Sequence, residues 1–255
     1  MSEEKDVVYA ERADDGIEVL YLNQPRKKNA LSGDMMGKLD ALLRAADDAN
    51  DVRVVVLRGA GQDFSSGGDL NQGPALEPGP EGARKTLRRY LSVVRTMRTI
   101  AKPVVAMVDG YAVGGAFALA CASDLVCASD RALFVPAFCQ IGIIPEMGMM
   151  KLLPDLVGPQ RAKELLFFGG KIPAQQLQAW GLVNRVFPAA TLEEETLAFA
   201  RELAAMPDAS IQITKNIMNA LADSSLEACL EAESKASPFC TTTKAYAATM
   251  EKFAR

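Results

Sequence analysis

The chain has 255 residues, 49% of them apolar and 24% charged, the usage of a globular protein with room for a sizeable core. It contains no histidine, which excludes Ser-His-Asp and Cys-His triads and HExxH zinc sites, and leaves proton chemistry to carboxylates, Lys, Tyr or Cys. Twenty-eight basic residues against 32 acidic ones give a net charge of −4; this argues against a dedicated nucleic-acid binder, which needs a basic surface, but allows one local basic pocket for a phosphorylated small molecule.

Residues 1–6 are charged and lack the apolar stretch of a signal peptide. The longest apolar runs are broken by Gly, Asp or Pro well short of the ~20 residues that span a membrane. The final Lys252-Phe253-Ala254-Arg255 is not a peroxisomal address, so the expected location is the cytoplasm. The cysteines (Cys121, Cys127, Cys139, Cys229, Cys240) form no CxxC pair and sit in apolar sequence. They read as buried free thiols rather than a disulfide, redox or zinc set.

In chain order the pattern is strand, turn, helix, repeated. Residues 17–22 alternate as a strand and stop at Asn23-Gln24-Pro25. Residues 31–49 carry helical spacing through Met35, Leu39, Leu42 and Leu43, with Ser32 as N-cap. Residues 52–57 are almost continuously apolar, the mark of a strand covered on both faces. A glycine-rich loop at 59–68 and a Pro/Gly stretch at 73–82 precede a long helix over 83–100. Its Arg84, Lys85, Arg88, Arg89, Arg95 and Arg98 form a solvated face. A strand over 102–108, a glycine-rich turn over 110–115, a small-residue helix over 116–122 and short strands over 125–128 and 132–135 follow. Beyond 150, residues 160–168, 174–180, 192–206 and 210–236 read as helices with Gly or Pro punctuation. The prediction is an α/β fold with a core over 1–195 and a helical region over 196–255. The apolar positions of that region either pack on the core or meet another copy of the chain.

Two segments share one design. Residues 52–57 run into Phe64-Ser65-Ser66-Gly67-Gly68-Asp69-Leu70, and 104–108 run into Gly110-Tyr111-Ala112-Val113-Gly114-Gly115. A glycine turn lets another group approach the backbone closely, and a helix start leaves N–H groups without internal acceptors. Two such turns can offer two donors to one oxygen, although glycines after a strand also serve plain packing. Neither turn is GxGxxG or GxxxxGK[ST], so neither a dinucleotide fold nor a P-loop is supported.

Taken in order, Asn23-Gln24-Pro25, Asn29-Ala30-Leu31, Phe64 through Leu70, Lys102-Pro103, Asp109 through Gly115, Ser123-Asp124-Leu125 and Ala179-Trp180-Gly181-Leu182-Val183 resemble the crotonase (enoyl-CoA hydratase/isomerase) superfamily over nearly the whole chain. The resemblance implies a spiral of ββα turns with a C-terminal helical trimerisation region, as homotrimer or homohexamer. It implies an acyl-CoA thioester substrate, with no cofactor beyond that CoA and no metal; the expectation of no nucleic acid and no membrane rests instead on the acidic balance and the short apolar runs. It places the thioester oxygen between the amides of Gly68 and Gly115. CoA contacts are expected at Lys28, Ala30, Ser66, Gly68, Asp69, Leu70 and Gly115, with Lys27 and Lys28 near the nucleotide.

The resemblance also exposes a departure. Family hydratases use two glutamates, and those positions align with Ala118 and Phe138, which can neither orient water nor move a proton. Glu146 remains, in Gly142-Ile143-Ile144-Pro145-Glu146-Met147-Gly148. If buried among Ile143, Ile144, Met147, Met149 and Met150, its carboxyl becomes a stronger base. Read without the resemblance, it is a helix-start carboxylate after Pro145. The Pro-Glu pair matches the catalytic glutamate of Δ3,Δ2-enoyl-CoA isomerases, so the expected activity is conversion of 3-enoyl-CoA to 2-enoyl-CoA. Enoyl-CoA hydration, another crotonase-type lyase reaction, or non-catalytic CoA-thioester binding are the alternatives. Asp69 is a second candidate acid or a helix cap; Met147, Met149 and Met150 read as adaptable core or acyl-pocket lining.

Overall fold

The computed structural model describes residues 6–13, 16–69 and 79–253. Six strands make the main sheet, ordered β1 (Val8–Ala13), β2 (Ile17–Leu22), β3 (Val54–Gly59), β4 (Val104–Val108), β6 (Leu125–Ser129) and β9 (Arg185–Phe187). The β1–β2 pair is antiparallel and the others are parallel. The apolar run of β3 has the cause its sequence suggests: alternate residues enter different cores. Val55 and Leu57 join Leu20, Val104 and Ala106 on one face. Val54 and Val56 join Ile17, Val19, Val105 and Met107 on the other.

The first face is covered by α1 (Gly33–Asp48), α2 (Gly79–Thr99) and α3 (Gly115–Ala122). Helix α1 starts where Ser32 Oγ accepts from the Met35 amide at 3.1 Å, and it buries Met35, Met36, Leu39 and Leu43. Helix α2 begins at Gly79, earlier than the expected 83, with Pro80 in its first turn, where a missing N–H is harmless. Its Arg84, Lys85, Arg88, Arg89 and Arg95 are exposed, as anticipated, whereas Arg98 is half-buried. Leu70 and positions 73–78 of the Pro/Gly stretch lie outside the described residues. Every residue of α3 is buried, which explains its run of small side chains.

A second sheet joins β5 (Tyr111–Val113), β7 (Leu133–Val135) and β8 (Ile172–Pro173). Part of the predicted 110–115 turn is therefore strand β5, formed by its parallel pairing with β7. Three elements follow, α4 (Met149–Val157), α5 (Pro159–Phe168) and α6 (Ala174–Ala179). The sequence reading contained neither β1 nor α4. After them come α7 (Leu192–Ala204), α8 (Asp208–Ala220), α9 (Leu226–Thr241) and α10 (Lys244–Phe253). Helix α7 covers the second face of the main sheet through Leu192, Ala200 and Ala204, and the boundary expected after 195 falls inside it. Helix α8 is docked by Lys215, whose buried ammonium donates to the carbonyls of Met97 at 2.9 Å and Lys102 at 2.8 Å. It also pairs with Asp124 at 2.8 Å. Burial pulls this lysine below its ordinary pKa, with Asp124 opposing the shift. Helices α9 and α10 bury none of their residues.

Two expectations are corrected by this layout: the single helix read over 210–236 is two, α8 and α9, parted by a turn over 221–225, and the cysteines are not all buried. Cys121 and Cys127 are buried, but Cys139 is exposed and Cys229 and Cys240 are half-buried. Cys139 opens a short 3₁₀ turn, and the other two ride on α9, which has no core to enter. No described helix is long and apolar enough to cross a membrane.

Candidate active site

The chain leaves β3 and β4 into the two glycine turns, and backbone hydrogen bonds zip these turns together. Phe64 N donates to Asp109 O at 2.7 Å, Ser65 N to Tyr111 O at 2.8 Å and Val113 N to Ser65 O at 3.1 Å. The Asp63 carboxylate adds a bond from the Tyr111 amide at 3.0 Å. The approach is close enough to require glycine: at Gly67 (φ +84), a Cβ would come within 2.5 Å of the Val113 carbonyl oxygen.

The first turn is also bridged to the segment before α1. Leu31 N donates to Gly67 O at 2.7 Å and Asp69 N to Leu31 O at 2.9 Å. Such a parallel bridge uses the carbonyl before Gly68 and the amide after it, so the Gly68 N–H faces away from Leu31. The amides of Gly67 and Gly114 are bonded as well, to Ser65 Oγ at 3.1 Å and Val135 O at 2.8 Å. No described group accepts from the N–H of Gly68 or of Gly115. Gly115 opens α3, where helix geometry supplies no acceptor.

Residues 24–31 are pinned beside these turns by buried Asn29, whose φ of 53° is one asparagine tolerates better than most. Its Nδ2 donates to the carbonyls of Ala60 at 2.9 Å and Asp63 at 2.7 Å, and its Oδ1 accepts from Gln24 N at 2.9 Å. Lys28 Nζ lies 3.7 Å from the Asp63 carboxylate and 4.9 Å from the Tyr111 ring centroid. Ala30 is buried, and Ser66 Oγ donates to Lys27 O at 3.2 Å. The structure thus gathers Lys28, Ala30, Ser66, Gly68 and Asp69 around the glycine turns. The Asp69 carboxylate is engaged by Lys27 Nζ at 3.4 Å.

Glu146 is not a helix-start residue. Helix α4 begins at Met149 with Gly148 (φ +81) as its cap, and the Glu146 carbonyl merely accepts from Met149 N at 3.1 Å. Its side chain is half-buried, and desolvation pushes the carboxyl above its ordinary pKa. It has no hydrogen-bond or ion-pair partner among the described residues. Pro145, Met147 and Met149 are buried beside it, whereas Ile143, Ile144 and Met150 are exposed. Three of the five apolar residues foreseen around Glu146 therefore face out: 143–144 precede α4 as open chain, and Met150 lies on the exposed side of α4.

Tyr90, on α2, stands close enough to feel Glu146. Burial first, then the negative charges of Asp69 and Glu146, push its phenol up, and its OH donates to Leu31 O at 2.8 Å. The two positions that the resemblance matches to the hydratase glutamates are closed and apolar. Ala118 is fully buried, and Phe138 Cζ lies 3.9 Å from where a Gly114 Cβ would stand. Sequence reasoning missed Tyr90, Asp63 and Lys171, whose Nζ donates to Tyr111 OH at 3.2 Å. Tyr90 interrupts a run of basic residues, which is its one visible signal. Chemically, the arrangement offers two amides and one partly desolvated carboxylate that have no partner among the described residues. No described group of His, Cys, Asp and Glu is fit to hold a metal ion.

The α/β fold and its paired glycine turns recur in known proteins. The family model described as enoyl-CoA hydratase/isomerase matches residues 12–254, and the chain belongs to that family. It is 37% identical to a 4-chlorobenzoyl coenzyme A dehalogenase-1 of Arthrobacter sp over 223 residues, covering 86% of this chain and 80% of the relative. It is 32% identical to the 1,2-epoxyphenylacetyl-CoA isomerase of Escherichia coli (strain K12) over 220 residues, covering 86% and 84%. The crystal structure of an enoyl-CoA hydratase from Bacillus anthracis superposes with a TM-score of 0.92 at 28% identity, covering 97% of this chain and 96% of that one. These relatives carry three reactions on one fold, so the residues of the site must decide among them.

Proposed function

We propose that the protein is an acyl-CoA isomerase that moves a double bond from C3–C4 to C2–C3 of a 3-enoyl-CoA. The observation that carries this reading is Glu146: desolvated, unpaired among the described residues, and beside a site whose two water-handling positions are Ala118 and buried Phe138. Glu146 takes a proton from C2; the C2–H bonding pair becomes a C1–C2 double bond conjugated with the C3–C4 double bond, and the carbonyl π pair moves onto the thioester oxygen. The negative charge of the resulting dienolate gathers on the thioester oxygen, where the Gly68 and Gly115 amides donate to it. Glu146 then returns the proton to C4, which leaves the double bond at C2–C3 and the carboxylate as it began. No separate cofactor is required, since CoA arrives with the substrate. Lys28, Ala30, Ser66, Asp69 and Leu70 make up the proposed CoA contacts, and the working unit is a homotrimer or homohexamer.

The test is to incubate the protein separately with a 3-enoyl-CoA, a 2-enoyl-CoA and 4-chlorobenzoyl-CoA, and to identify products by NMR. Double-bond movement in the first tube, with no hydration in the second and no chloride release in the third, is the expected result. Formation of a 3-hydroxyacyl-CoA, release of chloride, or no turnover in any tube overturns the reading.

A further inference from the structure

We infer that Met147 is a positioning residue: its side chain, seated on Gly115, fixes where Glu146 stands relative to the second glycine turn. This inference rests on the proposed role of Glu146 and goes beyond it by naming what holds the base in place.

Three independent features meet at Met147. Its backbone is left-handed (φ 54), a conformation that a long side chain adopts only when its surroundings compel it. Its neighbour Gly148 is also left-handed, and the Met149 amide closes the turn on the Glu146 carbonyl at 3.1 Å. Glycine would take the Met147 backbone without strain, so the side chain must be what keeps methionine there. That side chain is buried, and its Sδ lies 2.9 Å from the point a Cβ on Gly115 would occupy. Leu31 Cδ1 is 3.4 Å from the same point.

Leu31 is itself the residue whose backbone grips the first turn on both sides of Gly68, and its carbonyl also receives the Tyr90 hydroxyl. One thioether therefore sits where the segment bearing Glu146, the start of α3 and the brace of the first turn converge. A flexible, polarisable stem suits an irregular seat of this kind. Met147 need not touch the substrate: it acts by holding Glu146, the residue before it, against the frame that carries both amides.

The experiment compares Met147→Gly, which keeps the left-handed turn and removes the seat, with Met147→Leu, which keeps an apolar side chain able to fill it. Isomerisation kinetics and melting temperature are measured on both, together with C2 deuterium exchange of a saturated acyl-CoA in D₂O. That exchange needs the base and the amides but no double bond. Misplacing a reacting group by about an ångström costs on the order of 100-fold. The expected result for Met147→Gly is a kcat lowered about 10- to 100-fold with KM within about threefold. Met147→Leu should recover to within about threefold of the wild type. If Met147→Gly does not fold, Met147→Ala, which keeps the Cβ, makes the same comparison. A folded glycine or alanine variant with wild-type kcat overturns the inference, as does a loss shared equally by the leucine variant. Wild-type protein that exchanges C2 deuterium without moving a double bond defeats the isomerase reading alone, because exchange still reports the Met147 comparison.

Discussion

Glu146 is a carboxylate taken partly out of water with no described cation beside it, so its basicity and its cost to stability have one origin. Glu146→Gln should lower turnover roughly 10²- to 10⁴-fold while leaving acyl-CoA affinity nearly unchanged. Because burial raises the folded-state pKa, the native protein holds more protons than the unfolded chain between the ordinary carboxylate value and the raised one. Stability therefore falls as pH rises through that window. Melting temperatures at stepped pH should show the wild type losing ground to the Gln variant across it. Glu18, also raised by burial, is common to both proteins and cancels. At the second turn, Gly115→Pro deletes one donor and should slow turnover about 10²- to 10³-fold; because any Cβ there meets Met147 Sδ at 2.9 Å, Gly115→Ala, which keeps the N–H, is measured in parallel and should lose less. Glu146 stood out in sequence through the Pro-Glu pair that resembles the isomerases; as a lone acid between isoleucines and methionines it read by itself as a helix start. Its exclusion from a helix start was not legible, because it depends on a left-handed methionine that no propensity favours. Asp63 and Tyr90 were hidden for another reason: their roles are contacts with segments distant in the chain.

The elements that sequence showed well are those whose burial is continuous or strictly periodic. Strands β3 and β4 announced themselves as apolar runs, and α1 by its spacing and its Ser32 cap. Ser32→Ala should destabilise the protein by about 1 kcal/mol, read from urea unfolding. Strands β5 and β8 were illegible because they are so short that pairing with β7, rather than propensity, makes them strands. Strand β1 lies at the sheet edge and is mostly unburied, so it carries little apolar signal. Helix α4 was masked by Pro154 within it, which reads as a breaker. The docking of α8 rests on Lys215, and Lys215→Met should cost about 3–5 kcal/mol in the same measurement, because Asp124 is left without its cation. A double variant that also replaces Asp124 with Leu should regain only part of this, since the Val104 amide also relies on that carboxylate.

At the scale of the molecule, α9 and α10 display Leu226, Leu230, Phe239, Met250 and Phe253 to solvent, more apolar surface than a lone chain usually leaves open. Sedimentation equilibrium should return three or six times the mass of one chain, and Phe239→Asp should shift that mass downward; a single-chain mass for the wild type defeats the assembly proposal. The order of the main sheet has a consequence for biogenesis. Its strands join in the order in which they are synthesised, so the sheet can grow at one edge while the ribosome is still at work. Its second face cannot close on the same schedule, because α7, which covers Val54, Val56, Val105 and Met107, begins only at Leu192. At about 5–20 residues per second, the stretch between β4 and α7 takes about 4 to 17 seconds to make. For that interval the nascent chain offers a bare valine-rich sheet face, and it is then that a chaperone has most to hold.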